Sequence, residues 1–308
     1  MSSAKYSQYK SSVINYLRKS KKIALNTTKK IVNLPQTKDV EASSLSDGNT
    51  IINQPKLIKS KIVFHGKNNI LFCEGDLSIV KSEIHFHGDN GLLYLSSNKN
   101  KRYHSSIFIS HNSTVFIGQE TRFNMGKSVD IHAADHKNVI IGRDCLFSWN
   151  PWIFTSDAHP VYDSNTGKRI NYGRSVLIGD HVWIGKGVSI LKGSVVGSGA
   201  IIGADSTLSG KIYNSNSSYV GSPAREIRKN VFFTKSSVKN SDTDTLEYIE
   251  EYPKDDFIYS YSKKEQLTLD EIDKKLAAAK TSTEKLSWVK DNLADNSSKN
   301  RFYINNNS

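Results

Sequence analysis

Residues 178–209 read IGDHVWIGKGVSILKGSVVGSGAIIGADSTLS, and this stretch repeats with a period of six residues. A branched aliphatic residue opens each hexapeptide, glycine usually follows it, and a small or β-branched residue comes four places later. The opening residues are Ile178, Ile184, Ile190, Val196, Ile202 and Leu208. A short fixed period of this kind is typical of a solenoid, in which each repeat stacks on its neighbour.

The period of six predicts a mainly-β solenoid with a triangular cross-section. Three strands of about six residues close one coil, and successive coils stack at the interstrand spacing of about 4.8 Å. The opening aliphatic residues then point inward, and the glycines relieve the tight corners. The phase extends back through Ile117, Ile141 and Ile153. Ile178 follows Ile153 by one residue more than a multiple of six, so we expect a loop to leave the coil between them.

The segments on either side of the hexapeptides predict a three-part chain. The runs 62–72 and 83–95 share a Phe-His-Gly motif about 22 residues apart, which indicates longer, irregular early coils. Residues 1–35 carry an apolar stripe at helical spacing, and residues 36–55 are polar and resemble a linker. Capping boxes at Thr268 and Thr281 predict a C-terminal helical hairpin. The predicted parts are a basic helical arm and linker (1–55), a β-helix with a protruding loop at 158–175 (56–230), and a C-terminal helical extension (231–308).

The charge is unevenly distributed and indicates an anionic partner. The chain has a net charge of +12, and its first 38 residues contain nine basic and no acidic residues. A membrane surface, a nucleic acid or an acidic polysaccharide would fit this charge. The sequence has no nucleic-acid-binding motif, so we do not expect nucleic acid as the partner.

The sequence predicts a cytoplasmic protein. It has no signal-peptide pattern and no apolar run of about 18 residues, the length of a membrane span. A further hypothesis places the basic arm on the inner face of an anionic membrane. Cys73 and Cys145 lie in apolar runs, which favours buried thiols over a disulfide.

The residues around the protruding loop include candidates for catalysis. His159 lies where the loop leaves the solenoid, and an imidazole suits general-base chemistry at neutral pH. Asp157 is a candidate to orient this imidazole. Trp149 and Trp152 precede the loop and could stack on a sugar. Candidate acceptor contacts at the loop are Asp157, Tyr162 and Arg169.

Four motifs in this order resemble the galactoside, maltose and chloramphenicol acetyltransferases. They are His159-Pro160, IGDHVWIG at 178–185, GADS at 203–206 and Gly-Ser-Pro-Ala at 221–224. The resemblance covers residues 115–230 and implies a left-handed parallel β-helix. The loop segments 157–162 and 166–173 look most like those of bacterial capsular polysaccharide O-acetyltransferases of the polysialic acid group.

The resemblance implies an O-acetyltransferase that uses acetyl-CoA and no metal. His159 would deprotonate an acceptor hydroxyl, which attacks the thioester directly in a ternary complex. The backbone N–H of Lys186 would stabilise the oxyanion, and Trp183 would pack on the pantetheine arm or on the acceptor. The remaining residues implied for coenzyme A are Gly185, Ala204, Lys211, Ser222, Arg225 and Arg228.

The resemblance also implies a homotrimer with sites shared between subunits. One departure from the pattern is Gly210, because relatives often carry a lysine there, whereas here Lys211 follows one place later. The basic charge favours an anionic polysaccharide acceptor.

Three alternatives remain open at this point. The acceptor could be a small sugar or nucleotide sugar, or the protein could be a non-catalytic scaffold that binds a polymer or a membrane. A zinc enzyme like the γ-type carbonic anhydrases would need histidines from the set His132, His136, His159 and His181.

Overall fold

The computed structural model describes residues 30–31, 42–126, 128–236 and 251–305. Their regular structure consists mainly of short β-strands; a 3-10 turn lies at Ser46–Gly48, and the α-helices lie near the C-terminus. The strands are β1 Lys30–Ile31, β2 Ala42–Ser44, β3 Thr50–Ile52, β4 Lys56–Ile58, β5 Lys61–Phe64, β6 Ile70–Cys73, β7 Ser78–Val80, β8 Glu83–Phe86, β9 Leu92–Leu95, β10 Arg102–Tyr103, β11 Ser105–Ile109, β12 Thr114–Ile117, β13 Arg122–Phe123, β14 Val129–Ala133, β15 Val139–Ile141, β16 Leu146–Phe147, β17 Trp152–Phe154, β18 Val176–Ile178, β19 Trp183–Ile184, β20 Ser189–Ile190, β21 Val195–Val196, β22 Ile201–Ile202, β23 Thr207–Leu208, β24 Ile212–Tyr213, β25 Ser217–Gly221 and β26 Ala224–Lys229. The helices are α1 Leu269–Ala278 and α2 Ser282–Val289, and a π-helical turn continues α2 over Lys290–Ala294.

From β3 to β25, strands that are three apart in the chain pair in parallel, with a break between β10 and β13, and this gives the solenoid three faces. Face A contains β5, β8, β11, β14, β17, β20 and β23, with β1 added antiparallel to β5. Face B contains β3, β6, β9, β12, β15, β18, β21 and β24, with β2 added antiparallel to β3. Face C contains two sheets, β4-β7-β10 and β13-β16-β19-β22-β25, and β26 pairs antiparallel with β25 at its end. The predicted left-handed parallel β-helix is confirmed.

The length of a coil changes along the solenoid. Paired residues are 22 positions apart at Ile62 and Ile84, and 18 apart at Ile178 and Val196. The early coils are therefore longer, as predicted, and their strands are longer too, with four residues each in β5 and β6 and two each in β19 and β20. Ile141 pairs with Ile178 at a separation of 37, so a long excursion interrupts this one coil.

The interior of the solenoid is a continuous apolar column. The six residues that open the hexapeptides are all buried. The corner residues four places later are also buried, namely Val182, Val188, Ser194, Ala200 and Ser206. Cys73 and Cys145 lie in this column as free thiols, as predicted, and burial raises the pKa of Cys145 to about 12.

A second apolar core lies outside the solenoid, between face B and the C-terminal helices. Face B carries apolar side chains on its outer side as well as on its inner side. These outer residues include Ile70, Leu92, Tyr94, Phe116, Ile140 and Leu177. They pack with Ile272, Leu276, Val289, Leu293 and Phe302 of the extension. The extension is therefore a cover for face B.

Polar contacts cap the helices of this cover and attach it to the solenoid. Thr268 forms a complete capping box with Glu271, and Thr281 accepts a hydrogen bond from the backbone N–H of Glu284, so both predicted helices are present. The buried Arg301 guanidinium donates to the buried Asp180 carboxylate at 2.9 Å.

The N-terminal part differs from the prediction. Strands β2 and β3 lie in the segment that was predicted as a linker, so solenoid pairing already begins at Thr50. Lys30–Ile31, within the predicted helix, form a strand instead. The remainder of the predicted arm, 1–29 and 32–41, lies outside the described residues. Among the described residues, no helix is both long enough and apolar enough to cross a membrane.

Candidate active site

The excursion between β17 and β18 is a short antiparallel ribbon closed by a turn. Tyr162 and Arg169 form an isolated antiparallel bridge. The Asp163 carboxylate accepts hydrogen bonds from the backbone N–H groups of Asn165 and Thr166 at 3.0 and 2.7 Å. The turn thus has a defined internal structure, and the exposed Tyr162 ring remains available for contacts.

Arg169 anchors the excursion to the corner after β14. Its guanidinium donates to both carboxylate oxygens of Asp135, at 3.2 and 2.7 Å, and the backbone N–H of Gly173 donates to the same carboxylate at 2.6 Å. The arginine is the main cause that lowers the pKa of Asp135. The bidentate pair gives Arg169 a structural role in the loop, and its contact with the acceptor stays a prediction.

Asn171 fixes the backbone of His159, and the sequence analysis missed it. The side-chain Oδ1 of Asn171 accepts from the backbone N–H of Val161 at 2.6 Å. Its Nδ2 donates to the backbone carbonyl of His159 and to the Asp157 carboxylate, both at 2.8 Å. One amide therefore joins both strands of the excursion at their base.

Asp157 positions the loop and does not contact the imidazole of His159. Its carboxylate pairs with the Lys192 ammonium and accepts the Asn171 hydrogen bond. The lysine is the main cause that lowers the pKa of Asp157. The hypothesis that Asp157 orients His159 is therefore wrong for this structure.

His159 itself is exposed, and its imidazole has no hydrogen-bond partner among the residues that the structure describes. Its backbone is nevertheless held, since its N–H donates to the Asp157 carbonyl at 2.8 Å and its carbonyl accepts from Asn171. The imidazole nitrogens are thus free for a ligand while the main chain that carries them is fixed. This arrangement suits a general base.

A second group of candidate residues lies along the corner between faces C and A. Trp149, Lys186 and Ala204 occupy equivalent positions on successive coils. Within the described part of the chain, the backbone N–H groups of Lys186 and Ala204 have no acceptor, although their neighbours are bonded. The N–H of Gly185 donates to the Ile202 carbonyl, and that of Gly187 donates to the Trp149 carbonyl. Two unpaired main-chain donors on one edge can bind a carbonyl oxygen or an oxyanion.

The last strands of the solenoid, near residue 224, add further candidate residues to this region. Ser222 donates from its hydroxyl to Thr207 Oγ1 at 3.0 Å. Arg225 pairs with Val220, and Arg228 pairs with Ser218 further along face C, with both arginines exposed.

Three tryptophans line the same region. Trp183 on face C is partly exposed and leans on the buried Phe233, with ring centroids 5.6 Å apart. Trp149 donates from its indole to Asn124 Oδ1. Trp152 contacts the Phe154 ring edge to face at 6.0 Å. Trp149 and Trp152 are each about half exposed, so all three rings offer surface to a ligand.

The two groups lie on different edges of one solenoid. His159 lies in the loop that leaves the solenoid at the edge between faces A and B. Lys211 lies on that same edge, between β23 and β24. Lys186 and Ala204 lie on the corner between faces C and A. The strands of face A separate the candidate base from the candidate oxyanion donor of the same chain, so a single chain does not bring them together.

Comparisons with known proteins agree with this fold. Residues 175–210 match the family model described as bacterial transferase hexapeptide (six repeats). A polysialic acid O-acetyltransferase of Escherichia coli O1:K1 / APEC is 35% identical over 79 residues, which are 26% of this chain and 25% of that protein. This sequence match thus spans about a quarter of that relative.

Two crystal structures match more of the chain. The polySia-specific acetyltransferase NeuO is 33% identical, with a TM-score of 0.55 and coverage of 63% of this chain and 88% of that one. The chain belongs to the hexapeptide-repeat O-acetyltransferase family. The polysialic acid O-acetyltransferase OatWY is 27% identical, with a TM-score of 0.55 and coverage of 67% and 96%.

Membership of this acetyltransferase family argues against the carbonic anhydrase alternative, and so do the contacts of His181. His181 is buried, and its two ring nitrogens face the Asp144 carboxylate at 2.6 Å and the Phe233 carbonyl at 2.9 Å. Its ring is stacked between Phe233 and Phe257, with centroids 4.2 and 3.8 Å away. His181 therefore fastens the C-terminal extension to this acetyltransferase fold and is not free to bind a metal.

Proposed function

We propose that this protein transfers the acetyl group of acetyl-CoA to a hydroxyl of an anionic polysaccharide, with His159 as the general base. The observation that carries the proposal is the exposed, unpartnered imidazole of His159 on a backbone fixed by Asn171. Membership of the O-acetyltransferase family supplies the reaction class.

The residues support a direct transfer in two steps. The acceptor hydroxyl first attacks the thioester, and the tetrahedral intermediate then breaks down. The His159 imidazole takes the proton of the acceptor hydroxyl, and the hydroxyl oxygen attacks the thioester carbonyl carbon. The backbone N–H of Lys186 donates to the oxyanion, which is typically worth about 3 kcal/mol of barrier. The carbon–sulfur bond then breaks, and the thiolate takes the proton back from the imidazolium.

We expect the active site to form between subunits of a homotrimer. Base and oxyanion donor lie on different edges of one solenoid, so a second copy has to supply one of them. His159 of one subunit would meet Lys186 of the next. Lys211, which lies on the His159 edge, would then reach coenzyme A from the neighbouring copy.

Most of the proposed contacts with coenzyme A lie at or near the corner between faces C and A. Ala204 offers its unpaired N–H to the pantetheine arm, and Trp183 offers its exposed ring. Gly185 is also proposed to line this arm, and glycine is required there because a Cβ would lie only 2.6 Å from the Ala204 nitrogen of the next coil. The residues proposed for the polar end of the cofactor are Ser222, Arg225 and Arg228, since guanidinium groups suit phosphates.

Two observations support an anionic polysaccharide as the acceptor: the names of the relatives and the net charge of the chain. NeuO and OatWY are named as polysialic acid acetyltransferases, and the net charge of +12 favours an anionic polymer. Trp149, Trp152 and Tyr162 are the exposed rings proposed to contact its sugars. We propose action in the cytoplasm, where acetyl-CoA is available, with the basic N-terminal arm near an anionic membrane surface.

The test is an acetyl-transfer assay on the purified full chain. Acetyl-CoA is incubated with polysialic acid, a neutral polysaccharide, free sialic acid or a nucleotide sugar, and released thiol and O-acetyl mass are measured. We expect transfer to polysialic acid, and His159→Ala should reduce kcat by about 10²- to 10⁴-fold.

His111→Ala is the matched control, because His111 is also exposed and lies on the edge between faces A and B, two coils away. It should retain activity. Full activity of His159→Ala would refute the role of the base. Transfer to the small sugars alone would favour the alternative acceptor, and no turnover with any acceptor would favour a binding scaffold.

A further inference from the structure

A group of three histidines lies on the outer side of face A, away from the candidate active site. His85 on β8 and His87 directly after it are two residues apart, so the pleat places both on the same side. His65 follows β5, the neighbouring strand, and its backbone N–H donates to the Phe86 carbonyl at 2.8 Å. One potential ligand nitrogen from each of the three rings lies within 4.8 Å of the others.

The rings are close enough to turn toward one ion. The centroids of His65 and His87 are 4.8 Å apart, and those of His85 and His87 are 5.5 Å apart, with nearly parallel planes. Zinc–nitrogen bonds of about 2.0–2.1 Å would require the three nitrogens to approach somewhat further. Rotation about χ2 of histidine is soft and can supply this movement without a change of backbone.

One of the two ring nitrogens of His85 has no hydrogen-bond partner among the described residues. Its Nε2 lies 3.4 Å from the Glu83 carboxylate. Its Nδ1 is buried and has no hydrogen-bond partner among the described residues. A carboxylate on one ring nitrogen, with the other nitrogen left for a metal, is the usual setting of a ligating histidine. A buried acceptor without a partner also costs stability unless a ligand satisfies it.

We infer that His65, His85 and His87 form a binding site for a divalent transition metal of the zinc class. Three imidazoles suit Zn²⁺, Co²⁺, Ni²⁺ or Cu²⁺ and do not suit Mg²⁺ or Ca²⁺, which prefer oxygen ligands. Since His65 and His87 are exposed, a fourth ligand position faces solvent.

The site joins two early coils and is separate from the proposed chemistry. Strand β8 lies three coils from β17, where the His159 excursion begins, which is about 14 Å along the solenoid. A metal that binds only the folded coils would stabilise them by mass action. The inference does not depend on the proposed acetyl transfer.

The experiment uses the full untagged chain, freed of metal with a chelator and dialysed. Zn²⁺ is titrated calorimetrically, with Mg²⁺ as the negative control, and the zinc content is then measured by mass spectrometry. We expect one zinc per chain and a higher Tm with zinc.

The test variant is His85→Phe. Phenylalanine is chosen because Phe108 occupies the equivalent position in the next coil, so the aromatic stack and the fold should persist. Zinc affinity should fall at least tenfold, and zinc should no longer raise the Tm. His132→Phe is the matched control, since His132 lies in the same column two coils away and should leave zinc binding unchanged.

Failure of the native chain to bind zinc would overturn the inference, and so would binding that His85→Phe leaves intact. Acetyl transfer by His85→Phe should equal that of the native chain. Its loss would contradict the separation of the metal site from the active site.

Discussion

Faces A and B of the solenoid have the same interior and different exteriors. Strands β11 and β12 belong to these two faces and follow each other in the chain. The inward residues Ile107 of β11 and Val115 of β12 are both fully buried. Outside, Phe108 of β11 lies among histidine rings and is partly exposed, whereas Phe116 of β12 is fully buried under the C-terminal extension.

The fold determines which residue types are allowed at the inward positions of the strands. Whatever packs on the outside of each face determines the residue types at the outward positions. The inward positions must be apolar on every face, because the coils close on them. The outer positions are free to vary, so an apolar outer row indicates a cover and a row of imidazoles indicates a ligand surface. On face B that cover is provided by helices α1 and α2 of the same chain.

The largest expected effect comes from matched substitutions on the two outer rows. Phe116→Ala should lower the free energy of unfolding by about 3–5 kcal/mol, because it opens a cavity between face B and the extension. Phe108→Ala should cost about 1 kcal/mol, since its side chain is already partly solvated. Urea unfolding of both variants measures the difference. Equal losses would mean that face A is also covered in solution, either by another copy or by residues outside the described ranges.

Much of the solenoid could be predicted because its signal is local and repeated. One residue in six must be aliphatic, so the phase of residues 178–209 already specifies which side chains point inward. The position of His159 at the mouth of the excursion followed from the break in that phase. The covered outer side of face B also left a trace, since Val139–Ile141 and Val176–Ile178 are apolar at every position. Such runs are typical of strands buried on both sides.

The contacts that hold the candidate site could not be predicted in the same way. Arg169 meets Asp135 across 34 residues, and Lys192 meets Asp157 across 35. These pairs depend on how the excursion folds back on the solenoid, and no periodic pattern encodes that path. The start of the solenoid at Thr50 was missed because its first strands are short and lie in a polar stretch.

A smaller effect should come from Lys285, a lysine that is buried under the cover of face B. The Lys285 ammonium donates to the carbonyls of Asn90 and Asn112 at 2.9 and 2.6 Å, and burial lowers its pKa to about 8. Because this pKa lies below that of the unfolded chain, the unfolded state holds more protons between pH 8 and 10.5. The contribution of Lys285 to stability should therefore rise with pH through this window.

The matching experiment compares the native chain with Lys285→Met at pH 7.5 and 9.5 by urea unfolding. The stability difference between the two should change by about 2 kcal/mol in favour of the native chain at the higher pH. Lys274→Met, which removes an exposed lysine of α1, should show no such change. A pH-independent difference for Lys285→Met would show that the cover of face B does not depress this pKa.

The smallest expected effect tests the corner where faces A and B meet. Asn171→Ala removes the amide that joins Val161, Asp157 and the His159 carbonyl. We expect kcat for acetyl transfer to fall about tenfold, which is about 1.4 kcal/mol of barrier, because the imidazole is less well positioned. The KM for acetyl-CoA should not change, since Asn171 contacts none of the residues proposed to bind the cofactor. Asn165→Ala is the control, because only the backbone of Asn165 is used in the turn. A fall in kcat that is matched by a loss of acetyl-CoA affinity would mean that the two corners are not separate in function. Asn171 would then not act through the position of His159 alone.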